Sequence, residues 1–100
     1  MTESETISWI FLATAMASQE EHTDFAGISM IADGVNHAVP TNKELQTSIK
    51  WLISKGLVLK KGSKYSLSET GSIIAREISV NSISVMEQWK NLERELIKLI

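Results

Sequence analysis

Between Ile7 and Ala17 nearly every position is apolar: Ile7, Trp9, Ile10, Phe11, Leu12, Ala13, Ala15, Met16 and Ala17 leave no clear polar side. Such a helix lacks the one-sided stripe of a surface helix and has to be covered on more than one side. Thr2 with Glu5, or Ser4 alone, caps its start. The polar stretch from Ser18 to Thr23 reads as a loop, after which Asp24 precedes Phe25, Ile28, Ile31, Ala32 and Val35 at helical spacing. The segment NHAVPT interrupts that pattern, with Asn36 as the helix terminator and Pro40 biasing Val39 toward extended backbone. Thr41 and Glu44 then form a capping box, and Leu45, Ile49, Leu52 and Ile53 share one face of a third helix that Gly56 ends.

Beyond Gly56 the period changes. The short runs LVLK and KYSL flank Lys61-Gly62-Ser63-Lys64, a tight hairpin in which Gly62 supplies positive φ. Ser68, Glu69, Thr70 and Gly71 open a fourth helix through Ile73, Ile74, Ala75 and Ile78, with a break near Asn81. In the last segment Val85, Trp89, Leu92, Leu96 and Leu99 alternate steps of four and three, a heptad seam with charged residues elsewhere on the helix. The expected fold is mainly α with a small β-hairpin, of the α+β class, divided into a domain over 1–80 and a C-terminal helix over 81–100 that serves as a dimerisation element.

Composition narrows what such a domain does. At 100 residues with 43% hydrophobic and 22% charged residues, the chain has room for one core and the composition of a folded domain. The absence of cysteine removes disulfide frameworks, thiolate catalysis and Cys-based zinc sites. Glu3 and Glu5 stand where a secretory signal carries positive charge, and the apolar run is too short for a membrane span, so a cytoplasmic protein is expected. No phosphate loop, nucleophile elbow, HExxH or paired-carboxylate constellation is readable, so neither catalysis nor a cofactor is expected. In EEHTD, Glu20, Glu21, His22 and Asp24 lack ligand spacing and read as a polar loop ending in an N-cap, so no metal is assigned; His37 reads as a turn residue.

The run TNKELQTSIKWLISKGLV followed by GSKYSLSETG, within the order helix, helix, turn, helix, hairpin, helix, resembles a winged helix-turn-helix. It is similar to MarR-like and PadR-like bacterial transcriptional regulators, whose capped recognition helix ends in Leu-x-x-x-Gly-Leu-Val and whose wing ends in Leu-Thr/Ser-x-x-Gly. The matching residues here are Leu52, Gly56, Leu57, Val58, Leu67, Ser68 and Gly71. The resemblance runs from Ile28 to Gly71 and implies a homodimeric regulator of double-stranded DNA, with a recognition helix over about 41–55 and a wing over about 57–67. Winged helices also serve as protein-interaction modules, the alternative reading, in which Trp51 and the first or last helix hold a protein partner.

Charge distribution bears on that choice. From Lys43 to Lys64 six lysines stand against Glu44 alone, so this segment carries +5 within a chain of net −2. On a helical wheel of about 100° per residue, Lys43, Thr47, Lys50 and Ser54 lie opposite Leu45. Lys43, Gln46, Thr47 and Lys50 are the candidate DNA contacts of the helix, Asn42 a secondary one at its N-terminus, and Lys60, Lys61 and Lys64 those of the hairpin. Cross-strand Lys61 and Lys64 repel unless an anion lies near, a place for phosphate. The bland reading of the same lysines is solvation of an ordinary surface, and no arginine, the commonest reader of guanine, lies between Thr41 and Leu67. Val85, Trp89, Leu92, Leu96 and Leu99 are the candidate dimer interface.

Overall fold

Every helix starts on a side-chain oxygen that accepts one of the backbone N–H groups left free in a first turn. In the computed structural model, which describes residues 1–100, α1 spans Glu3–Ala17, α2 Phe25–Asn36 and α3 Asn42–Ser54. Strands β1 (Val58–Lys61) and β2 (Lys64–Leu67) form the hairpin, and α4 (Glu69–Val80) and α5 (Val85–Ile97) complete the chain. Thr2 and Thr41 head full capping boxes with Glu5 and Glu44, while Asp24, Ser68 and Ser84 cap α2, α4 and α5. The sequence places four of these caps; Ser84, in a run of small polar residues, is visible only in the fold. At the end of α2 the helix runs through Asn36, and His37 takes the left-handed conformation with φ 55°. The terminator is thus one residue later than expected, at a residue type that also tolerates positive φ.

The all-round apolar character of α1 has its explanation in its position: it is the central helix, packed on α2, α3 and α5 and touched by α4 and β2. Its residues Ile7 to Thr14 are all buried. The two polar residues among them are satisfied locally, Thr14 Oγ1 donating to the Ile10 carbonyl at 2.8 Å and Ser8 Oγ to the Ser4 carbonyl at 2.7 Å. Trp9 Nε1 donates to the Ala32 carbonyl at 2.9 Å, tying α1 to α2.

Helix α5 runs antiparallel to α1. Ser4 Oγ donates to Glu93 at 2.7 Å, and a turn further on Trp89 Nε1 donates to the Glu5 carbonyl at 3.0 Å and reaches Ser8 Oγ at 3.1 Å. The indole of Trp89 stacks on Trp9 with centroids 6.2 Å apart. Trp89, Leu92 and Leu96 belong to the same cluster of eighteen buried apolar residues as α1, α2 and α3. This corrects the reading of the heptad seam: its three central residues are covered within the chain and are not available to a second copy, and only Val85 and Leu99 at its ends stay exposed. Residues 81–100 likewise share the core of residues 1–80.

The junction of α3, the hairpin and α4 explains the sequence pattern around Gly56 and Gly71. Gly56, at φ 73°, closes α3: Leu57 N–H donates to the Leu52 carbonyl and Gly56 N–H to the Ile53 carbonyl, each at 3.0 Å, a Schellman arrangement with Leu52 and Leu57 both buried. The hairpin then returns to the same place, where Ser68 Oγ donates to the Gly56 carbonyl at 2.6 Å and Ser68 N–H to the Leu57 carbonyl at 3.0 Å. Gly71 lies against that carbonyl so closely that a Cβ on it would stand 2.1 Å from the oxygen.

Candidate nucleic-acid interface

On α3, where Leu45, Ser48, Ile49 and Leu52 are buried, Lys43, Thr47 and Lys50 point away from the core while Asn42 and Gln46 lie on its flanks, all five exposed. Burial of one stripe on α1 dictates this: once Leu45, Ile49 and Leu52 face the core, residues offset by half a turn point outward. In the hairpin, Val58 pairs with Leu67, Leu59 with Ser66, Lys60 with Tyr65 and Lys61 with Lys64. Gly62 has φ 63° and Ser63 does not have positive φ, the sign pattern of a type II′ turn. Lys60, Lys61 and Lys64 are exposed.

The hairpin is held to the rest by a contact with no counterpart in the sequence pattern. Thr23, in the loop before α2, forms an isolated antiparallel bridge to Tyr65 on the outer edge of β2, and the Tyr65 ring stacks on Phe25 with centroids 5.1 Å apart and planes 11° from parallel. Tyr65 is thereby buried. Between this stack and α3 lies a groove of about 420 Å³ lined by Phe25, Gln46, Ile49, Lys50, Ile53, Lys60 and Tyr65. It brings Gln46 and Lys50 of α3 together with Lys60 of β1. Asn42, Lys43 and Thr47 lie outside its lining, as do Lys61 and Lys64 at the hairpin tip.

Lys64 has an internal partner: its Nζ is 3.6 Å from Asp24 Oδ2. The carboxyl of Asp24 is held below its ordinary value of 3.8, first because it accepts the Gly27 N–H and second because Lys64 lies near. The anion that relieves the Lys61–Lys64 pairing is therefore this side chain, and a phosphate is not required for that purpose. Lys43, Lys50, Lys60 and Lys61 have no carboxylate within 4.0 Å. Lys55 sits over the ring of Trp51, 5.7 Å from its centroid, and Trp51 is half-buried rather than bare. Phe25 and Tyr65, which wall the groove together with Ile53 of α3 itself, are absent from the candidate contacts because only the return of the hairpin onto the start of α2 brings them to α3.

A second groove, of about 570 Å³, lies among the C-terminal turn of α1, the following loop, β2, α4 and α5, with Leu12, Met16, His22, Leu67 and Arg76 among its walls. None of the candidate DNA contacts lines it. No helix is long and apolar enough to cross a membrane. Comparison of the chain with protein-family models, with curated proteins and with solved structures finds no match.

Proposed function

We propose that the chain is a winged helix-turn-helix domain that binds double-stranded DNA, with α3 as the recognition helix in the major groove and the β1–β2 hairpin as the wing. The observation that carries this reading is the convergence of Gln46, Lys50 and Lys60 on one groove, within a surface where Lys43 and Lys61 are also free of carboxylates. Free lysines on a helix and an adjacent hairpin are suited to phosphate contacts, and exposed Asn42, Gln46 and Thr47 supply the neutral donors and acceptors that read base edges. The local charge of +5 against −7 over the rest of the chain orients the domain toward a polyanion. Regulation of transcription is the activity this binding would serve. The interaction-module reading draws less support, since Trp51 is half-buried under Lys55 and α1 lies at the centre of the core.

The test is titration with random-sequence duplex across a range of salt. Each lysine–phosphate contact contributes a log–log slope of about −0.9, so Lys43→Ala with Lys50→Ala, and separately Lys60→Ala with Lys61→Ala, should each shallow the slope by about two. Lys98→Ala, on a residue engaged with Glu95 at 3.2 Å, should leave it unchanged. Absence of duplex binding at low salt, or a slope indifferent to both double substitutions, overturns the reading.

A further inference from the structure

With the Trp89, Leu92 and Leu96 seam closed against α1, helix α5 still presents a second ordered face. Met86, Lys90, Glu93 and Ile97 follow one another at steps of four, three and four, which places them within about 60° of one another around the helix. Met86 is 49% and Ile97 51% exposed, and Lys90 is exposed between them. Glu93 is partly exposed, its Oε2 accepting from Ser4 Oγ at 2.7 Å. Ile83, just before the N-cap Ser84, and Ile100, beyond the C-cap Lys98, lie outside the helix and flank its two ends, 93% and 66% exposed.

Read in either direction, this helical face has the same order: an apolar residue, a charge, the opposite charge, an apolar residue. Laid antiparallel on a second copy, it sets Met86 opposite Ile97 and Lys90 opposite Glu93, each pair occurring twice, with the exposed Ile83 and Ile100 flanking the helix ends. A parallel arrangement would set Lys90 on Lys90 and Glu93 on Glu93. We propose that this face of α5 is a self-association surface whose occupant is α5 of a second copy, antiparallel about a two-fold axis passing midway between Lys90 and Glu93. Such an interface is isologous, the same patch on both partners, and requires this self-complementary order. The core already holds α5 rigid through Trp89, Leu92 and Leu96, so association orders little besides the side chains on the face itself. One helix pair makes a small interface, so the dissociation constant is expected in the range of about 1–100 µM. The inference rests on α5 alone and is read without DNA, so it stands or falls separately from the α3 assignment.

Sedimentation equilibrium of the full chain over about 5–200 µM should show a species of twice the 11.1 kDa of one chain. Lys90→Glu places like charges opposite each other on both sides of the axis and should weaken association at least about tenfold. Glu93→Lys should do the same, and both variants should keep the far-ultraviolet circular dichroism of the parent. The double variant carrying Lys90→Glu and Glu93→Lys should regain the dimer, and an equimolar mixture of the two single variants should form a heterodimer. A parent chain that stays monomeric throughout, a Lys90→Glu variant that associates like the parent, or a double variant that stays monomeric overturns the proposal.

Discussion

Replacement of Gly71 by alanine tests the junction on which the hairpin and α4 depend. The added Cβ would stand 2.1 Å from the Leu57 carbonyl oxygen and 3.1 Å from its carbon, both backbone atoms that no side-chain rotation can move aside. Ordinary carbon–oxygen contacts begin at about 3.3 Å, so α4 has to withdraw from the Leu57 backbone by about 1 Å. That withdrawal strains the Ser68 bonds to Leu57 and Gly56, at 3.0 and 2.6 Å. Overpacking costs about 1–3 kcal/mol and loss of one hydrogen bond about 1 kcal/mol more, an expected destabilisation of about 2–4 kcal/mol. The helical preference of alanine over glycine returns at most about 1 kcal/mol. At about 4–8 °C per kcal/mol for a domain of this size, Tm should fall by about 10–25 °C.

The internal control is Gly34→Ala, where a Cβ on exposed helical backbone meets nothing within 4 Å and should stabilise by about 0.5–1 kcal/mol. Urea denaturation followed by circular dichroism measures both. Gly71→Ala within about 0.5 kcal/mol of the parent, or the two variants shifting in the same direction, refutes the close approach as the cause.

Leu92→Ala should cost about 2–5 kcal/mol, and Lys at both Leu92 and Leu96 should unfold the chain instead of releasing a folded monomer, because both side chains are buried; a cooperatively folded double-lysine variant would place α5 outside the core. Gly56→Ala, strained at φ 73° but sterically free, should lose about 1–2 kcal/mol, whereas His37→Gly should gain, since His37 bears the same left-handed strain; thermal melts showing the same sign for both would contradict this. Because the Asp24 carboxyl is depressed in the fold, its stabilisation is complete above its unfolded value of 3.8 and fades as pH falls through the lower folded value. Asp24→Asn keeps the helix cap without the charge, so the stability difference from the parent should shrink below pH 3.8; urea midpoints separated by a constant amount across that window would refute the assignment.

What the sequence by itself determined is local. A capping box joins residues three apart, a Schellman motif closes within a single turn, and a type II′ turn needs only a glycine of positive φ. Thr41 with Glu44, Asp24, Gly56 and Gly62 therefore announce their roles without any knowledge of the rest of the chain. The apolar periods likewise tell which face of α3 is buried, and so which of its residues are exposed. Tertiary structure decided where complementary groups distant along the chain meet. A heptad seam states that Trp89, Leu92 and Leu96 need cover, yet an apolar stripe is satisfied equally by α1 of the same chain or by a second copy, and only packing selects α1. Lys64 calls for an anion without naming it, and the Thr23–Tyr65 bridge that brings Asp24 within 3.6 Å joins segments some forty residues apart. The same bridge carries Tyr65 onto Phe25 and the hairpin toward α3, making one groove of Gln46, Lys50 and Lys60. Hydrophobic burial is non-directional, so periodicity states what each element has to hide and the fold alone states behind what.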